Sequence, residues 1–193
     1  LGDVYKRQSL DRPTAVAVGR LVPVKGFGLL VRAWEKVASV HPDWKLEIWG
    51  DGPERGSLER LVREKGLEKN VLLRGATGEV QEKLLQSSML VFPSLFEGFG
   101  MVLVEAMACG VPCVAFECPC GPRDVISPEE DGLLVPPGDT DALARAIIRL
   151  MEQSELRSRM GEAARNKAAR YAMDAVCAAW MDLFRQLNSS SSR

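Results

Sequence analysis

Short apolar runs alternate with helical patterns along most of this chain, and this alternation constrains the fold more than any other feature. Near-continuous apolar strands joined by helices are typical of a parallel sheet covered on both faces. The sequence therefore predicts an α/β fold, a Rossmann-like open parallel sheet that ends in a C-terminal helix. The predicted strands are residues 15–19, 45–50, 71–75, 89–93, 111–116 and 132–136, and the helices between them are residues 26–40, 56–65, 79–88 and 101–108.

The two ends of the chain lack this pattern. Residues 1–13 show neither helical nor strand periodicity, and their opening Leu-Gly-Asp-Val-Tyr-Lys-Arg-Gln resembles a translated sequencing adapter, so we expect a non-native or disordered leader there. Residues 188–193 form a polar, serine-rich tail that we expect to be disordered. The predicted domain is residues 14–187. After its last strand it has three helices, over residues 140–153, 154–171 and 174–187.

Composition excludes several classes of protein. The 25 basic and 26 acidic residues are interleaved, which gives no basic patch for nucleic acid. No apolar run approaches the roughly 20 residues of a membrane span, and no signal-peptide pattern opens the chain, so we expect a cytoplasmic protein. The five cysteines form no C-x-x-C pair, which favours reduced thiols over a zinc site. The single histidine, His41, follows a predicted helix without nearby metal ligands, and we expect no metal.

The stretch 94–112 leaves a strand, turns on glycines and enters a helix. Seven residues separate Glu97 from Glu105 in this stretch. Gly98 and Gly100 allow the backbone positive φ and a close approach to a ligand. The first turn of the helix presents unpaired N–H groups, and a side chain one turn inside leans back toward the same space. Because carboxylates only accept hydrogen bonds, this arrangement favours a polyhydroxylated ligand.

A second candidate element follows the first strand, where Arg20 and Lys25 stand among glycines. The planar guanidinium and the compact ammonium together suit a diphosphate. A basic pair before a helix is also a common solvated surface feature, but its position after a strand favours the ligand interpretation. Neither G-x-G-x-x-G nor G-x-x-x-x-G-K-[ST] occurs, which argues against a dehydrogenase and a P-loop hydrolase.

Taken together, these motifs resemble the C-terminal, donor-binding half of the family 4 retaining glycosyltransferases of GT-B architecture. The resemblance covers residues 14–187, and the two glutamates with seven residues between them are its most specific part. The matching motifs, in chain order, are Gly19-Arg20, Lys25-Gly26, Glu97-Gly98-Phe99-Gly100, Glu105-Ala106 and Gly110-Val111-Pro112.

The resemblance implies a role for each matched residue. The two cations hold the donor diphosphate, the first glutamate and the glycine-rich backbone meet the transferred sugar, and the second glutamate binds the ribose hydroxyls. Arg74, placed after the third strand, falls where the family lines the nucleobase with backbone groups. The implied catalytic residues are Arg20, Lys25 and Glu97, and the implied substrate-binding residues are Gly19, Arg74, Gly98, Phe99, Gly100, Met101, Val102 and Glu105.

The resemblance also implies the reaction: retaining transfer of a hexosyl unit from a nucleotide-diphosphate sugar to a glycan or lipid-linked acceptor, without cofactor or metal. It further implies that this chain is a fragment lacking an N-terminal acceptor domain, and that the full-length enzyme can associate peripherally with the inner face of a membrane. Two alternatives stay open from the sequence: a UDP-sugar epimerase of the same fold, and a non-catalytic nucleotide-sugar-binding protein.

The loop that begins at Cys118 resembles a Cys-Pro-x-Gly-Pro-Arg-Glu loop found in a subset of these enzymes, many of which use UDP-sugars. Asp124 stands where that subset has glutamate. Gly121 and Pro122 could contact substrate or merely shape a turn, and the sequence leaves both interpretations open.

Overall fold

A computed structural model of the protein describes residues 10–190, and it has a six-stranded parallel sheet at its centre. The strand order is β3-β2-β1-β4-β5-β6, so the order reverses between β1 and β4, where open α/β sheets bind ligands. The predicted fold class is confirmed. The strands are β1 (Thr14–Val18), β2 (Lys45–Trp49), β3 (Val71–Gly75), β4 (Met89–Phe92), β5 (Cys113–Phe116) and β6 (Gly132–Val135).

Helices connect the strands, and the long ones lie where apolar periodicity predicted them. Two short elements were not predicted, a 3-10 turn over Pro23–Lys25 and the helix α5, because neither is long enough to show a period. A further 3-10 turn, Ala169–Tyr171, follows α7. The α-helices are α1 (Phe27–Val40), α2 (Arg55–Glu64), α3 (Val80–Leu85), α4 (Met101–Ala108), α5 (Pro122–Val125), α6 (Thr140–Glu152), α7 (Ser154–Ala168) and α8 (Met173–Ser190).

Each face of the sheet has its own apolar core. Ala15 and Ala17 of β1 face one core, and Val16 between them faces the other, as the two-residue period of a strand requires. Helices α1, α2 and α6 contribute to the first core, α3 and α4 to the second, and α7 to both. Burial on both faces explains why the central strands are almost entirely apolar.

The packed domain begins before the predicted boundary at residue 14. Leu10 is buried at 6% exposure, and its carbonyl accepts a hydrogen bond from Nε of Arg157 at 3.0 Å. Ser88 donates to the carbonyls of Leu10 and Arg12. Arg157 is itself buried, and a buried guanidinium needs acceptors, which this segment supplies. Residues 10–13, which the sequence predicted to belong to the leader, are therefore part of the packed domain. Residues 1–9 lie outside the described part of the chain.

Helix α8 continues to Ser190, beyond the predicted domain end at residue 187, and residues 191–193 of the predicted tail lie outside the described range. Its apolar side chains are exposed; Trp180 and Phe184 are 55% and 52% accessible. Across residues 10–190, no helix combines the length and the apolar character needed to span a bilayer.

Candidate functional site

The carboxyl ends of β1, β2 and β3 are joined by backbone hydrogen bonds. The N–H of Gly19 donates to the carbonyl of Trp49 at 3.0 Å, and the N–H of Gly50 donates to the carbonyl of Gly75 at 2.7 Å. These bonds hold the three strand-end loops at a fixed separation. The candidate residues that follow β1 therefore lie on a rigid edge of the sheet.

A crevice of about 290 Å³ opens between these three strand ends. Arg20 is exposed there, and its guanidinium makes no hydrogen bond or ion pair with any residue from 10 to 190. A guanidinium in that state is available to an anionic ligand. The crevice is lined by Val18, Gly19, Arg20, Trp49, Gly50, Asp51, Ala76 and Thr77.

Lys25 and Glu97 form an ion pair beside this crevice. The ammonium Nζ lies 2.5 Å from Oε1 of the carboxylate, and the two side chains are 26% and 10% exposed. The Lys25 Nζ also lies 5.8 Å from the centroid of the Phe92 ring. The Lys25 stem runs past Gly19, with Cδ 3.9 Å from the position of a Cβ there. Since Gly19 lines the crevice, the ion pair lies next to it.

The loop that carries Lys25 is docked on the loop that carries Glu97. The N–H of Leu95 donates to the carbonyl of Val24 at 2.8 Å. Gly26 begins α1 with φ 65°, and a Cβ at this position would lie 2.1 Å from the carbonyl oxygen of Pro93. The close approach of the two backbones therefore requires glycine at position 26.

Helix α4 begins directly after the glycine turn. Gly100 precedes it with φ 83°, whereas Gly98 does not adopt a left-handed conformation, so the positive φ expected of both glycines occurs at one. The first-turn N–H groups of Met101 and Val102 point out of the helix start. Glu105 is exposed one turn after Met101, on the same helix face.

The four charged candidates do not form one cluster. Lys25 and Glu97 are in contact and Arg20 lies in the adjoining crevice, but Glu105 makes no hydrogen bond or ion pair with them within residues 10–190. Its place on α4 directs it to the same edge of the sheet, because helical side chains lean toward the helix start.

The cysteine-containing loop packs against the Glu97 loop. Gly121 has φ 71°, and a Cβ there would lie 2.6 Å from the carbonyl oxygen of Phe99 and 3.3 Å from Cβ of Glu97. Cys118 is buried, and burial together with the nearby Glu97 carboxylate raises the pKa of its thiol. Asp124 is exposed on the short helix α5. The loop therefore shapes the backbone around Glu97, while a substrate contact from it stays a prediction.

An aromatic contact joins the same loop to the C-terminal region. The rings of Phe99 and Tyr171 lie edge to face, with centroids 5.8 Å apart and an interplanar angle of 72°. Tyr171 belongs to the 3-10 turn that precedes α8. Tyr171 cannot be identified from the sequence, because nothing in the local pattern of residues 169–171 indicates a contact with the distant Phe99.

Arg74 lies inside β3 rather than after it, which corrects the position expected from the sequence. Its Nη2 and Nε donate to Oε1 of Glu47 on the neighbouring strand at 2.6 and 3.1 Å. The pairing of β2 with β3 passes from Ile48–Leu73 to Trp49–Gly75, so Arg74 lies at an irregularity of the ladder, and its side chain does not line the crevice. Ala76 and Thr77, which do follow the strand, line the crevice in its place.

A larger hollow of about 750 Å³ lies far from these residues, where α6 meets α7. Two of its charged side chains are paired: Arg149 donates two hydrogen bonds of 2.7 Å to Glu129, and Glu152 contacts His41 at 3.1 Å. The Arg149 bonds hold the pKa of the Glu129 carboxyl below its ordinary value. The lining residues of this hollow lie on or between α6 and α7 and not at the carboxyl ends of the strands, where open α/β sheets bind ligands. Residues 10–190 contain no grouping of three His, Cys, Asp or Glu side chains suited to a metal ion.

Comparison with known proteins shows the family to which the sequence belongs. The sequence model of the glycosyl transferases group 1 matches residues 5–167. The chain belongs to this family. The family match begins at residue 5 of this group 1 glycosyl transferase and therefore includes Leu10, which is buried in the structure. Membership favours a glycosyltransferase over the epimerase and the non-catalytic binding protein considered from the sequence.

Individual relatives are similar over most of this chain. It is 41% identical over 184 residues to an exopolysaccharide phosphotransferase of Streptomyces coelicolor, covering 95% of this chain and 20% of the relative. It is 31% identical over 168 residues to a poly(ribitol-phosphate) alpha-N-acetylglucosaminyltransferase of Staphylococcus aureus, covering 86% and 34%. The chain thus spans between a fifth and about a third of these two curated relatives.

A solved structure shows the same architecture. The TarM protein of S. aureus, crystallised as a point mutant with fondaparinux, alpha-GlcNAc-glycerol and UDP, superposes with a TM-score of 0.88 at 28% identity. The superposition covers 94% of this chain and 37% of TarM. The open parallel sheet described above is therefore that of a GT-B glycosyltransferase domain.

Proposed function

We propose that this group 1 glycosyl transferase domain binds the nucleoside diphosphate of a UDP-sugar and presents the sugar for retaining transfer to a glycan or lipid-linked acceptor. One observation carries the proposal: the Lys25–Glu97 pair lies beside the available Arg20, at the edge where the strand order reverses. The UDP bound to TarM and the N-acetylglucosaminyl transfer named for the S. aureus relative support this class of donor.

The cations are proposed to bind the diphosphate. Breaking the bond between the anomeric carbon and the phosphate oxygen places negative charge on the leaving diphosphate. In this proposal Arg20, Lys25 and the backbone of Gly19 stabilise that charge together with the first N–H groups of α4, and the position of Arg20 and Gly19 in the crevice supports the assignment. A preorganised donor of this kind is worth about 3 to 4 kcal/mol of transition-state stabilisation.

The acids are proposed to bind hydroxyl groups. Glu97, with the backbone of residues 98–100 and of Met101 and Val102, meets the transferred sugar, and Glu105 accepts from the ribose hydroxyls. Glu97 is suited to this role because the Gly121 backbone and the Lys25 ammonium hold its loop from two sides. Carboxylates accept two or more hydrogen bonds and so can distinguish hydroxyl orientations.

Retention of configuration requires the acceptor hydroxyl to attack on the face that the diphosphate leaves. In the proposed step the C–O bond to the acceptor forms as the C–O bond to the diphosphate breaks, and the departing phosphate oxygen takes the acceptor proton. This route requires no protein nucleophile, cofactor or metal. Holding the acceptor in line supplies about 7 to 11 kcal/mol of the barrier.

We propose that the acceptor is held by a part of the enzyme outside these 193 residues, and that this chain binds the donor without turning it over. The short share of each relative that it spans supports this division. A cytoplasmic location and peripheral membrane association of the full-length enzyme are part of the same proposal, and the exposed apolar side chains of α8 support the membrane association.

Isothermal titration with UDP and UDP-sugars tests the proposal. We expect wild-type protein to bind UDP and Arg20→Met to bind it at least about tenfold more weakly, because one charge-assisted contact is lost. Arg32, exposed on α1, provides the matched control Arg32→Met with unchanged affinity. Absence of UDP binding by the wild type contradicts the donor assignment, and sugar transfer by this chain alone contradicts the proposed division.

A further inference from the structure

The glycine turn before α4 contains Phe99, whose side chain is 41% exposed. Gly98 and Gly100 flank this residue, and glycine leaves the backbone more conformational freedom than any other residue does. The apolar side chains of Phe96 and Met101, on either side of the turn, are both 61% exposed and bury little surface that could hold it. Contacts from other elements must therefore fix the turn.

Three such contacts reach different atoms of this segment. The Lys25 ammonium holds the Glu97 carboxylate, and Gly121 allows its backbone to approach the carbonyl oxygen of Phe99. The third contact is made by Tyr171, whose ring meets the Phe99 ring edge to face with the centroids 5.8 Å apart. Edge-to-face aromatic pairs contribute more than the area that they bury. Tyr171 therefore holds the side chain of Phe99, which the other two contacts do not fix.

Tyr171 has a rigid support of its own. The 3-10 turn Ala169–Tyr171 directly follows α7, and the half-buried Tyr171 side chain packs against the second core, to which Ala164 of α7 contributes. Helix α7 also lies close to the end of α4, because a Cβ at Gly110 would be 3.5 Å from the carbonyl oxygen of Gly161. The two rings thus connect both ends of a packed pair of helices, α4 and α7.

We propose that Tyr171 is a positioning residue for donor binding, whose ring holds Phe99 and thereby fixes the direction of the N–H groups at the start of α4. The inference rests on the proposed function, in which these N–H groups bind the diphosphate. The N–H of Met101 lies in the planar peptide group that it shares with Gly100, so its direction depends on the conformation of the turn. Donors stabilise a developing charge well when they are preorganised by a supporting residue.

Isothermal titration with UDP tests this role. We expect Tyr171→Ala to bind UDP roughly three- to tenfold more weakly, which corresponds to the loss of one aromatic pair. The Tyr171 hydroxyl makes no hydrogen bond with any residue from 10 to 188, so Tyr171→Phe keeps the ring contact and should keep the wild-type affinity. Phe184→Ala, which removes an exposed aromatic ring of α8, is the matched control with unchanged affinity.

Two further measurements separate positioning from a general loss of stability. In protein that already carries Phe99→Leu, the substitution Tyr171→Ala should cause no additional loss of UDP affinity, because Tyr171 acts through the Phe99 ring. A fluorophenylalanine placed at position 99 gives a single fluorine NMR resonance. Tyr171→Ala should shift and broaden this resonance, and Tyr171→Phe should leave it close to its wild-type position. Thermal melting verifies that each variant is folded.

The outcomes distinguish this inference from the proposed function. A wild type that binds no UDP overturns the proposed function, while the fluorine resonance still reports the ring contact without any ligand. A wild type that binds UDP overturns the positioning role if Tyr171→Ala binds it equally well, or if Tyr171→Phe binds it as weakly as Tyr171→Ala. Additive losses from Phe99→Leu and Tyr171→Ala also overturn it, because Tyr171 would then act independently of Phe99.

Discussion

The Lys25 ammonium lies 2.5 Å from the Glu97 carboxylate although the two residues are 72 positions apart in the chain. The contact forms because the loop after β1 and the loop after β4 are hydrogen-bonded through Val24 and Leu95, across the point where the strand order reverses. Opposite charges are thus brought together at the edge of the sheet where a donor is proposed to bind. Each charge can be altered separately, which allows their roles to be distinguished.

Replacing Lys25 by methionine should weaken UDP binding by roughly ten- to a hundredfold, since a hydrogen bond to a charged group contributes about 1.5 to 3 kcal/mol. Glu97→Gln should leave the affinity for UDP unchanged or raise it, because it removes a negative charge beside Lys25, the cation proposed to bind the diphosphate. The same substitution should weaken any additional affinity for a UDP-sugar. Isothermal titration measures both, with Lys69→Met as the exposed-lysine control. Equal UDP affinity for wild type and Lys25→Met would refute the role of Lys25.

Gly121→Ala should destabilise the fold and disturb the Glu97 loop. The new Cβ would lie 2.6 Å from the Phe99 carbonyl oxygen, at a residue with φ 71°. With ψ −98° this backbone conformation also lies outside the αL region, and a residue with a Cβ held in such a sparsely populated conformation costs about 1 to 3 kcal/mol before the steric clash is added. Chemical denaturation gives the change in free energy of unfolding.

Gly28→Ala is the matched control for that substitution. Gly28 lies in α1 with no atom within 4 Å of the position of a Cβ, so alanine should stabilise the helix by about 1 kcal/mol. If Gly121→Ala is as stable as the wild type, the close approach of the two loops does not exist in solution.

The free energy of unfolding should fall as pH rises above about 9. Burial, with a smaller effect of Glu105, raises the pKa of the Cys109 thiol from 9.0 to about 11, and burial raises the pKa of Cys113 further. At a pH between the pKa of the unfolded thiol and the raised pKa of the folded thiol, the unfolded protein loses these protons while the folded protein retains them. Rising pH in this range therefore favours the unfolded state. The stabilisation is complete below the unfolded pKa and is lost with a slope of about 1.4 kcal/mol per pH unit for each thiol.

Cys113→Ala should remove one thiol's share of that slope. Urea denaturation at several pH values from 8 to 10.5 measures the slope separately from the loss of packing, which is the same at each pH. Cys177→Ala, at an exposed position on α8, is the control for replacing a cysteine outside the core. An identical slope in wild type and Cys113→Ala would show that this thiol ionises as easily in the folded protein.

Helix α8 should make the protein self-associate. Trp180 and Phe184 are more than half exposed, and their rings lie 5.7 Å apart on one face. An exposed apolar patch of this kind promotes association. Replacing both by lysine should reduce the increase of the sedimentation coefficient with protein concentration. The free energy of unfolding should change by less than about 0.5 kcal/mol. Unchanged sedimentation would exclude this face as the cause.

Local pattern was sufficient for most of the framework. Helix α4 occupies Met101–Ala108 as predicted, and α6 begins at Thr140 as predicted, where the side chain of Asp139 accepts from the N–H groups of Asp141 and Ala142. Apolar periodicity, caps and glycines act over a few residues, so they can be read from the chain itself. The two elements that escaped prediction are a single turn or little more.

The sequence by itself determined the open parallel sheet, its helices and the edge on which the candidate residues lie, because apolar period and strand-helix alternation encode them locally. The tertiary structure alone decided which side chains meet: Lys25 with Glu97, Arg74 with Glu47 instead of the crevice, and Gly121 with Phe99. These contacts depend on strand register and on how distant loops dock. The residues next to a side chain in the sequence determine neither the strand register nor the docking of distant loops.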